Sequence, residues 1–453
     1  MSDRTDQLEQ VLIQVQQLLA AQDYQGLSVA LEPVHASDMA DLVERLDDVQ
    51  RLALLQHMPP DLAADALAEM EDVERPGELL LQLKPERAAE IVHEMADDDA
   101  ADVIGELEPA QQARVLSAVR DQEAAEIEEL LTYPEESAGG LMTREVLSVS
   151  TRLTAAEAIA EIRRQAHEDF DFYTIFVVDP DGTFRGVVAL RDLVIADPDT
   201  PIETITEEPL AVVTVDTDQE EVGKALSRYN IASMGVVDSL GRLVGRITFD
   251  DVIDVVEAEA TEDIFRFAAV SDEEEVRGGT IDAIRSRLPW LFVNLVTASI
   301  GAMVVWHYQG TIEAIVALAV AMPIIAGLGG NSGQQALAVT IRRIALSDES
   351  RKERWSVVRK EVTVGLVNGL VIGLVAAAVG HFLLDAGAMF GLVVLLALWG
   401  NLIIGSFAGA FIPTFLESVG VDPAAASTVF LTALTDTSGF FLLLSLASAI
   451  LLQ

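Results

Sequence analysis

The chain has 453 residues and a formal net charge of −44, spread unevenly: residues 1–280 hold 63 acids against 20 Lys and Arg, while residues 281–453 hold 10 against 9. An acidic half of this strength excludes nucleic acid and an anionic leaflet as partners and favours cations as ligands. With no Cys and only six scattered His, disulfide frameworks and thiolate metal sites are excluded, and zinc or copper is disfavoured.

Residues 1–137 read as an acidic helical domain. Leu8, Val11, Leu12, Val15, Leu18 and Leu19 recur at helical spacing. The N-terminus is polar, with no signal-peptide pattern. Three segments beginning at Pro60, Pro85 and Pro109 form a weak repeat at intervals of 25 and 24 residues. Proline suits the first turn of a helix, and repeats of this size stack as a small α-solenoid. The acids Asp97, Asp98, Asp99 and Asp102 read either as a solvated face or as part of a cation site.

Residues 138–249 change character. Short β-branched runs appear at 174–178, 186–190, 234–237 and 243–247, and Asp179-Pro-Asp-Gly marks a turn. The pattern repeats at an offset of 59: Val178-Asp179 matches Val237-Asp238, Gly186 matches Gly245, and Asp192 matches Asp251. This tandem resembles a pair of CBS modules, which often bind adenine nucleotides. Thr248-Phe-Asp-Asp251 fits the Thr-x-x-Asp pattern that contacts ribose and phosphate. The first module keeps Asp192 but has Ala189 in place of the hydroxyl. The resemblance implies ATP at Asp192, Thr248 and Asp251; the alternative is a tandem that acts only mechanically.

From Phe249 to Val270 the chain reads as one long helix with an apolar stripe at Val252, Val256, Ala260, Ile264 and Phe267. Asp251, Asp254, Glu259 and Glu262 fall within an arc of roughly 140° on another side. Such an arc is either a solvated face or a set of cation ligands. Residues 250–284 thus form a connecting helix and linker.

Residues 285–453 contain five apolar segments, at about 288–306, 311–341, 361–384, 389–416 and 423–452. Basic residues precede the first and crowd the 342–360 loop, and no Lys or Arg follows Lys360. That asymmetry predicts cytoplasmic N-terminal domains and an external C-terminus in a cell (inner) membrane. The second segment carries Met322-Pro-Ile-Ile-Ala-Gly-Leu-Gly-Gly-Asn-Ser-Gly-Gln-Gln335, which predicts a break in the helix at mid-depth; tight glycine packing is the alternative. The last segment carries Asp436 near its middle, with Thr428 and Thr432 on the same helical face. An acid at that depth costs at least ~2.5 kcal/mol, so it needs a partner or a function. Either Asp436 is neutral and hydrogen-bonded to a neighbouring helix, or it meets a mobile cation.

Taken in order, these parts resemble the MgtE magnesium channels over essentially the whole chain. The most specific pieces are residues 323–334, 250–263 and Leu434-Thr-Asp-Thr-Ser-Gly439. The fold implied is a multidomain membrane protein: an α-solenoid N domain, an α/β CBS pair, a long connecting helix and a five-helix transmembrane domain. The resemblance further implies a homodimer in the lipid bilayer, with Mg²⁺ as cargo and as regulator. Asp436 would be the pore carboxylate, and Gly327, Gly329, Gly330, Asn331, Thr428 and Thr432 would line the path. Asp251, Asp254, Glu259, Glu262 and Asp263 would be plug-helix acids, with Asp422 facing them. Sensor ligands in the first domain do not align, and Asp97 and Asp98 are taken as candidates. The competing readings are a proton- or sodium-coupled divalent-cation transporter with Asp436 as relay, a chloride channel with CBS domains, and a CBS-containing enzyme. More membrane segments and no acid in the path would be needed for the chloride channel. No nucleophile–base pair supports an enzyme.

Overall fold

The computed structural model describes every residue except 1, 71–74, 166–173, 269, 271–278, 347–350, 383–386, 420, 422–426 and 453. The chain forms two units, Met1–Glu259 and Ala260–Gln453.

The first unit begins with ten helices among the described residues: α1 (Ser2–Ala21), α2 (Tyr24–Leu31), α3 (Ala36–Glu44), α4 (Asp48–His57), α5 (Pro60–Ala68), α6 (Pro76–Gln82), α7 (Pro85–Glu94), α8 (Asp97–Gly105), α9 (Pro109–Leu116) and α10 (Asp121–Leu130). The repeated prolines open α5, α7 and α9; Pro59 and Lys84 supply no side-chain cap bond, whereas Glu108 and Gln111 form a capping box around Pro109. Proline costs nothing there, because the first-turn N–H has no helical acceptor anyway. Alternate helices stack: α3 on α5, α5 on α7 and α7 on α9 in one row, α6 on α8 and α8 on α10 in the other. Arg87 ties two repeats together. Its buried guanidinium donates to the carbonyls of Leu55 (3.0 Å) and Met58 at the end of α4, where a cation also meets the negative end of the helix dipole.

Two three-stranded sheets follow. The first joins β1 (Ser148–Ser150), β2 (Thr174–Val178) and β3 (Phe184–Ala189), with α11 (Ala155–Gln165), α12 (Leu190–Ile195) and α13 (Ile202–Ile205) around it. The second joins β4 (Val212–Thr214), β5 (Ser233–Val237) and β6 (Leu243–Thr248), with α14 (Gln219–Tyr229) and the start of α15 (Phe249–Phe267). Each sheet has one parallel and one antiparallel pair, and each antiparallel pair shifts register after Val177 or Val236, again 59 residues apart. The modules interlock symmetrically: Phe184 N–H donates to Gly241 O, and Leu243 N–H donates to Gly182 O. The edge strand of each module also takes a bridge from the segment entering the other, Glu207 on Val187 and Thr143 on Arg246.

That crossing explains the repeated glycine. A Cβ at Gly186 would lie 2.3 Å from Glu207 O, and one at Gly245 2.8 Å from Thr143 O. The core of the second module (Val222, Leu226, Met234, Val236, Ile247, Val252) is continuous with that of the helical repeats, while the first module keeps a core of its own.

The second unit takes in the end of α15 and then α16 (Thr280–His307), α17 (Gln309–Ala314), α18 (Ala317–Leu346), α19 (Arg351–Phe382), α20 (Ala388–Ser418) and α21 (Ser427–Leu451). Among the described residues four spans are both long and apolar enough to cross a membrane: Ala283–His307, Trp355–Phe382, Ala388–Ser418 and Thr428–Leu451. The fifth expected span, α18, has 30 residues, about 45 Å at 1.5 Å per residue, but Asn331, Ser332, Gln334 and Gln335 dilute its apolar character.

The predicted break in α18 does not occur: one α-helix runs through Pro323 and the glycines. Pro323 lies in the second turn, and the glycines serve packing. A Cβ on Gly405 would lie 2.4 Å from Gly329 O, and one on Gly409 2.2 Å from Gly333 O. Only bare backbones approach this closely. α20 is the central helix, packed on α18, α19 and α21, and α16 packs on α21.

Candidate cation sites

The first site lies where the helical repeats meet the second β-module. Two acidic runs contribute, Asp97–Asp99 at the start of α8 and Asp250–Asp251 at the start of α15. The first turn of a helix tolerates such runs, because its free N–H groups and the macrodipole favour anions.

Adjacent acids have opposite environments. Asp97 is fully engaged: it accepts from Thr143 Oγ1 (2.5 Å), Arg144 N (3.0 Å) and Asp98 N (3.2 Å), latching α8 to the entry of the first module. Asp98 Oδ1 is buried with no hydrogen-bond partner. Burial, then the charges of Asp99, Asp251 and Asp97, push the Asp98 carboxyl well above the usual range. Burial together with Asp251, Glu69, Asp250 and Asp65 pushes Asp99 up to about 7. Asp251 is raised by burial against two hydrogen bonds from Thr248, and Asp254 is raised by burial and then by Glu69, Glu257 and Asp250. Burial also lowers the Arg246 guanidinium, opposed by the fields of Glu145, Asp98, Asp250 and Asp251.

The helical arc read from sequence therefore divides three ways. Asp251 and Asp254 belong to this cluster. Glu259 accepts from Gln219 Nε2 (2.7 Å) in a separate acidic neighbourhood of Glu220, Asp218 and Glu136. Glu262 pairs with Arg266 one turn on. Asp263 lies on α15 with its side chain outside the description, and Asp422 lies outside the described residues.

Asp99 joins Asp98 here as one of the acids for which a cation site was an open reading, while Asp250, Glu69 and Asp65 were missed in the sequence; only the tertiary fold brings α5, α8 and α15 together. Among the described residues no three carboxylate or imidazole groups converge as a ready-made metal site. The cluster nevertheless fits a hard divalent cation: all donors are oxygens, one buried oxygen is orphaned, and the charges repel.

The nucleotide pattern has a local explanation. Thr248 donates its N–H (3.2 Å) and hydroxyl (2.6 Å) to Asp251 Oδ2, capping α15. In the first module Asp192 pairs with Arg191 (3.0 Å), beside a surface hollow of about 580 Å³ lined by Ala189, Leu190, Arg191, Val194 and Ile195.

The second site is in the membrane-type helices. Asp436, Thr428 and Thr432 form a half-buried face of α21, next to the packed face of Leu431 and Thr435. Thr432 donates its hydroxyl proton to Thr428 O (2.9 Å), and Thr428 donates to Phe267 O (2.7 Å). Both hydroxyls thus keep lone pairs free to accept from a hydrated cation. Phe267, at the end of α15, packs against Leu337, Ile341, Ala408 and Leu431.

On α18, Gly327 and Asn331 lie on an open face, while Gly330 approaches Thr435. Gly329 points the other way: a Cβ there would be 2.1 Å from Asn401 Nδ2. It is a packing residue, not one that shares a face with Gly327. Asn401 escaped the sequence reading, although a lone carboxamide in the apolar run of α20 was a visible signal.

Comparison with known proteins agrees with this architecture. Residues 322–446 match the MgtE family, described as divalent cation transporters; residues 34–136 match the MgtE intracellular N domain; residues 138–199 and 202–258 each match the CBS domain. The chain is 35% identical to the magnesium transporter MgtE of Thermus thermophilus, covering 98% of this chain and 99% of that one. It is 33% identical to the magnesium transporter MgtE of Enterococcus faecalis, covering 94% and 93%. A crystal structure of the cytosolic domain of the Mg²⁺ channel MgtE in complex with ATP is 37% identical and superposes with a TM-score of 0.51, covering 54% of this chain and 99% of that chain.

Proposed function

The chain belongs to the MgtE family of divalent cation transporters, and from that premise we propose that it is a Mg²⁺ channel closed from the cytosol by the ion it carries. Residues 1–137 and 138–249 act as the sensor, 250–284 as the connecting element, and 285–453 as a five-span conduit that includes α18. Two copies assemble, so that two Asp436 carboxylates share one path. The N-terminal domains are cytoplasmic and the C-terminus is external.

The observation that carries the conduit is Asp436, an acid in an apolar helix with no Lys or Arg after Lys360. Mg²⁺ dehydrates reluctantly and keeps several waters. One carboxylate per copy is too few oxygens to replace a hydration shell, but it can hold a hydrated ion through that ion's water. Gly327, Asn331, Thr428 and Thr432 supply an open polar lining.

Closure follows from electrostatics. Without Mg²⁺, Asp98, Asp99, Asp251 and Asp254 repel across the interface between repeats and module. A divalent ion at the orphaned oxygen of Asp98 removes the repulsion and fixes the start of α15. The far end of the same helix carries Phe267, whose carbonyl holds Thr428. The ion can shift the gate only by its differential affinity for the closed state. ATP is a second ligand, at the CBS hollow beside Arg191 and Asp192.

The test is recording from membrane patches containing the full chain, with Mg²⁺ varied on the cytosolic face. Single-channel currents that fall as Mg²⁺ rises are expected. Saturable, proton- or sodium-coupled flux without such currents would replace the channel by a coupled carrier that uses Asp436 as its relay.

A further inference from the structure

Asn401 is fully buried at the centre of the second unit. Its Nδ2 donates to Ile325 O on α18 (2.9 Å), and its Oδ1 accepts from Ser438 Oγ on α21 (2.8 Å). Both ends of one carboxamide are therefore committed, each to a different helix, from a third. Glycines make the approach feasible on both sides: a Cβ would come within 2.1 Å of Nδ2 at Gly329 and 2.7 Å at Gly439.

The placement has a rotational consequence. At 100° per residue, positions two apart lie about 160° apart around a helix. On α18 the gripped positions are Ile325 and Gly329; Gly327 and Asn331 each lie two residues further on and occupy the open face. On α21 the gripped position is Ser438, and Asp436 lies two residues before it. Asn401 thus holds the backs of the two helices whose opposite sides carry the candidate path residues. An apolar residue of the same size could fill the space, but it could not specify rotation. Apolar contacts between helices are non-directional, whereas a carboxamide with one donor and one acceptor engaged accepts a single arrangement.

We propose that Asn401 is a positioning residue for ion passage: it sets the rotation of α18 and α21 about their axes and so aims Asp436 and Asn331. This rests on the reading of α18 and α21 as the walls of the path.

The test uses the full chain reconstituted in liposomes, with uptake of Mg²⁺ and of Ca²⁺ measured at several concentrations. Asn401→Leu should insert, assemble and melt like the parent, yet lose roughly tenfold in maximal Mg²⁺ uptake, since displacement of about 1 Å is costly where geometry sets the rate. It should also admit Ca²⁺ more readily relative to Mg²⁺, a change that loss of packing alone does not produce. Asn401→Gln should not rescue either property, because the extra methylene moves both ends of the amide. The gentler Ser438→Ala removes one bond without altering the backbone approach and should show the same shift in selectivity with about a threefold fall in uptake.

Parent-like uptake and selectivity in both Asn401→Leu and Ser438→Ala would overturn the proposal. So would parent-like selectivity in Ser438→Ala if Asn401→Leu merely fails to fold. Asp436→Asn, run in parallel, separates the two levels: full uptake in that variant sinks the path assignment itself, whereas its loss beside a parent-like Asn401→Leu sinks only the positioning role.

Discussion

Two buried polar sites, one in each unit, are handled in opposite ways. In the second unit Asn401 has its donor and its acceptor satisfied, and the glycines around it allow no slack. In the first unit burial, and after it the charges of neighbouring acids, raises the carboxyls of Asp98, Asp99, Asp251 and Asp254, and Asp98 Oδ1 has nothing to bond. A saturated network holds a single geometry. A frustrated cluster of like charges is a device with two states, because adding one cation reverses the sign of its energy. Rigidity suits a selective conduit, and frustration suits a sensor.

The comparison breaks first at Asp436, an acid near the middle of the apolar helix α21. Asp436→Asn keeps the shape and removes the charge. Uptake should fall by roughly a hundredfold, the scale of losing about 3 kcal/mol of attraction for a divalent ion. Normal flux in reconstituted vesicles would put this acid with the structural residues.

A second break is aimed at the sensor. Converting Asp98, Asp99, Asp251 and Asp254 together to Asn should leave the conduit open and raise the cytosolic Mg²⁺ needed for closure by roughly tenfold, within the usual range of coupling energies. The sign has two contributions. Neutralisation removes repulsion, which favours closure, and removes the bridged ion, which opposes it. Bridging is the larger, because a divalent ion between partly desolvated carboxylates interacts more strongly than exposed charges screened over about 8 Å. A variant that closes at lower Mg²⁺ than the parent would show that repulsion dominates.

Protons should act as weak substitutes for Mg²⁺. Asp99 ionises at about 7 in the folded protein against 3.8 ordinarily. The folded form therefore holds the extra proton between those values, and stability falls as pH rises through this window and levels off above about 7. In Mg²⁺-free solution the first unit should resist proteolysis better at pH 6 than at pH 8. Addition of Mg²⁺ at pH 6.5 should release protons. Protection independent of pH across that range would remove Asp99 from the switch.

How much of this could be read from the chain alone depends on whether the cause was local. Pro60, Pro85 and Pro109 open helices because of their own missing N–H groups, and the sequence shows them directly. The offset of 59 residues, visible in Gly186 and Gly245, foretold a pair of like modules; the register shift they share was not read from it and follows from each module solving the same crossing. Partners distant in sequence were hidden. The arc of acids on α15 gave a face but not its neighbours, so Glu259 beside Gln219 and Glu262 paired with Arg266 looked equivalent to Asp251. The glycines of α18 suggested an unwound helix, because nothing local reveals that α20 lies against them. Asn401 carried no motif at all.

The finest test lies between two neighbouring residues of one type. Asp97 and Asp98 open the same helix, and a charge count treats them alike. Asp97 accepts bonds from Thr143, Arg144 and Asp98, while one oxygen of Asp98 is buried without a donor. Asp97→Asn replaces an acceptor by a donor facing donors, and should destabilise the first unit by about 1–2 kcal/mol. Asp98→Asn removes a buried charge that is repelled by its surroundings, and should stabilise the same unit by about 1 kcal/mol when Mg²⁺ is absent. Denaturant unfolding of the full chain, followed by a probe in the first unit, reads both. Saturating Mg²⁺ should then reverse the order for Asp98 alone: the parent gains stability from the bound ion, Asp98→Asn gains little, and Asp97→Asn keeps most of its gain. Two variants that shift together, with or without Mg²⁺, would mean that the orphaned oxygen of Asp98 is not where the cation acts.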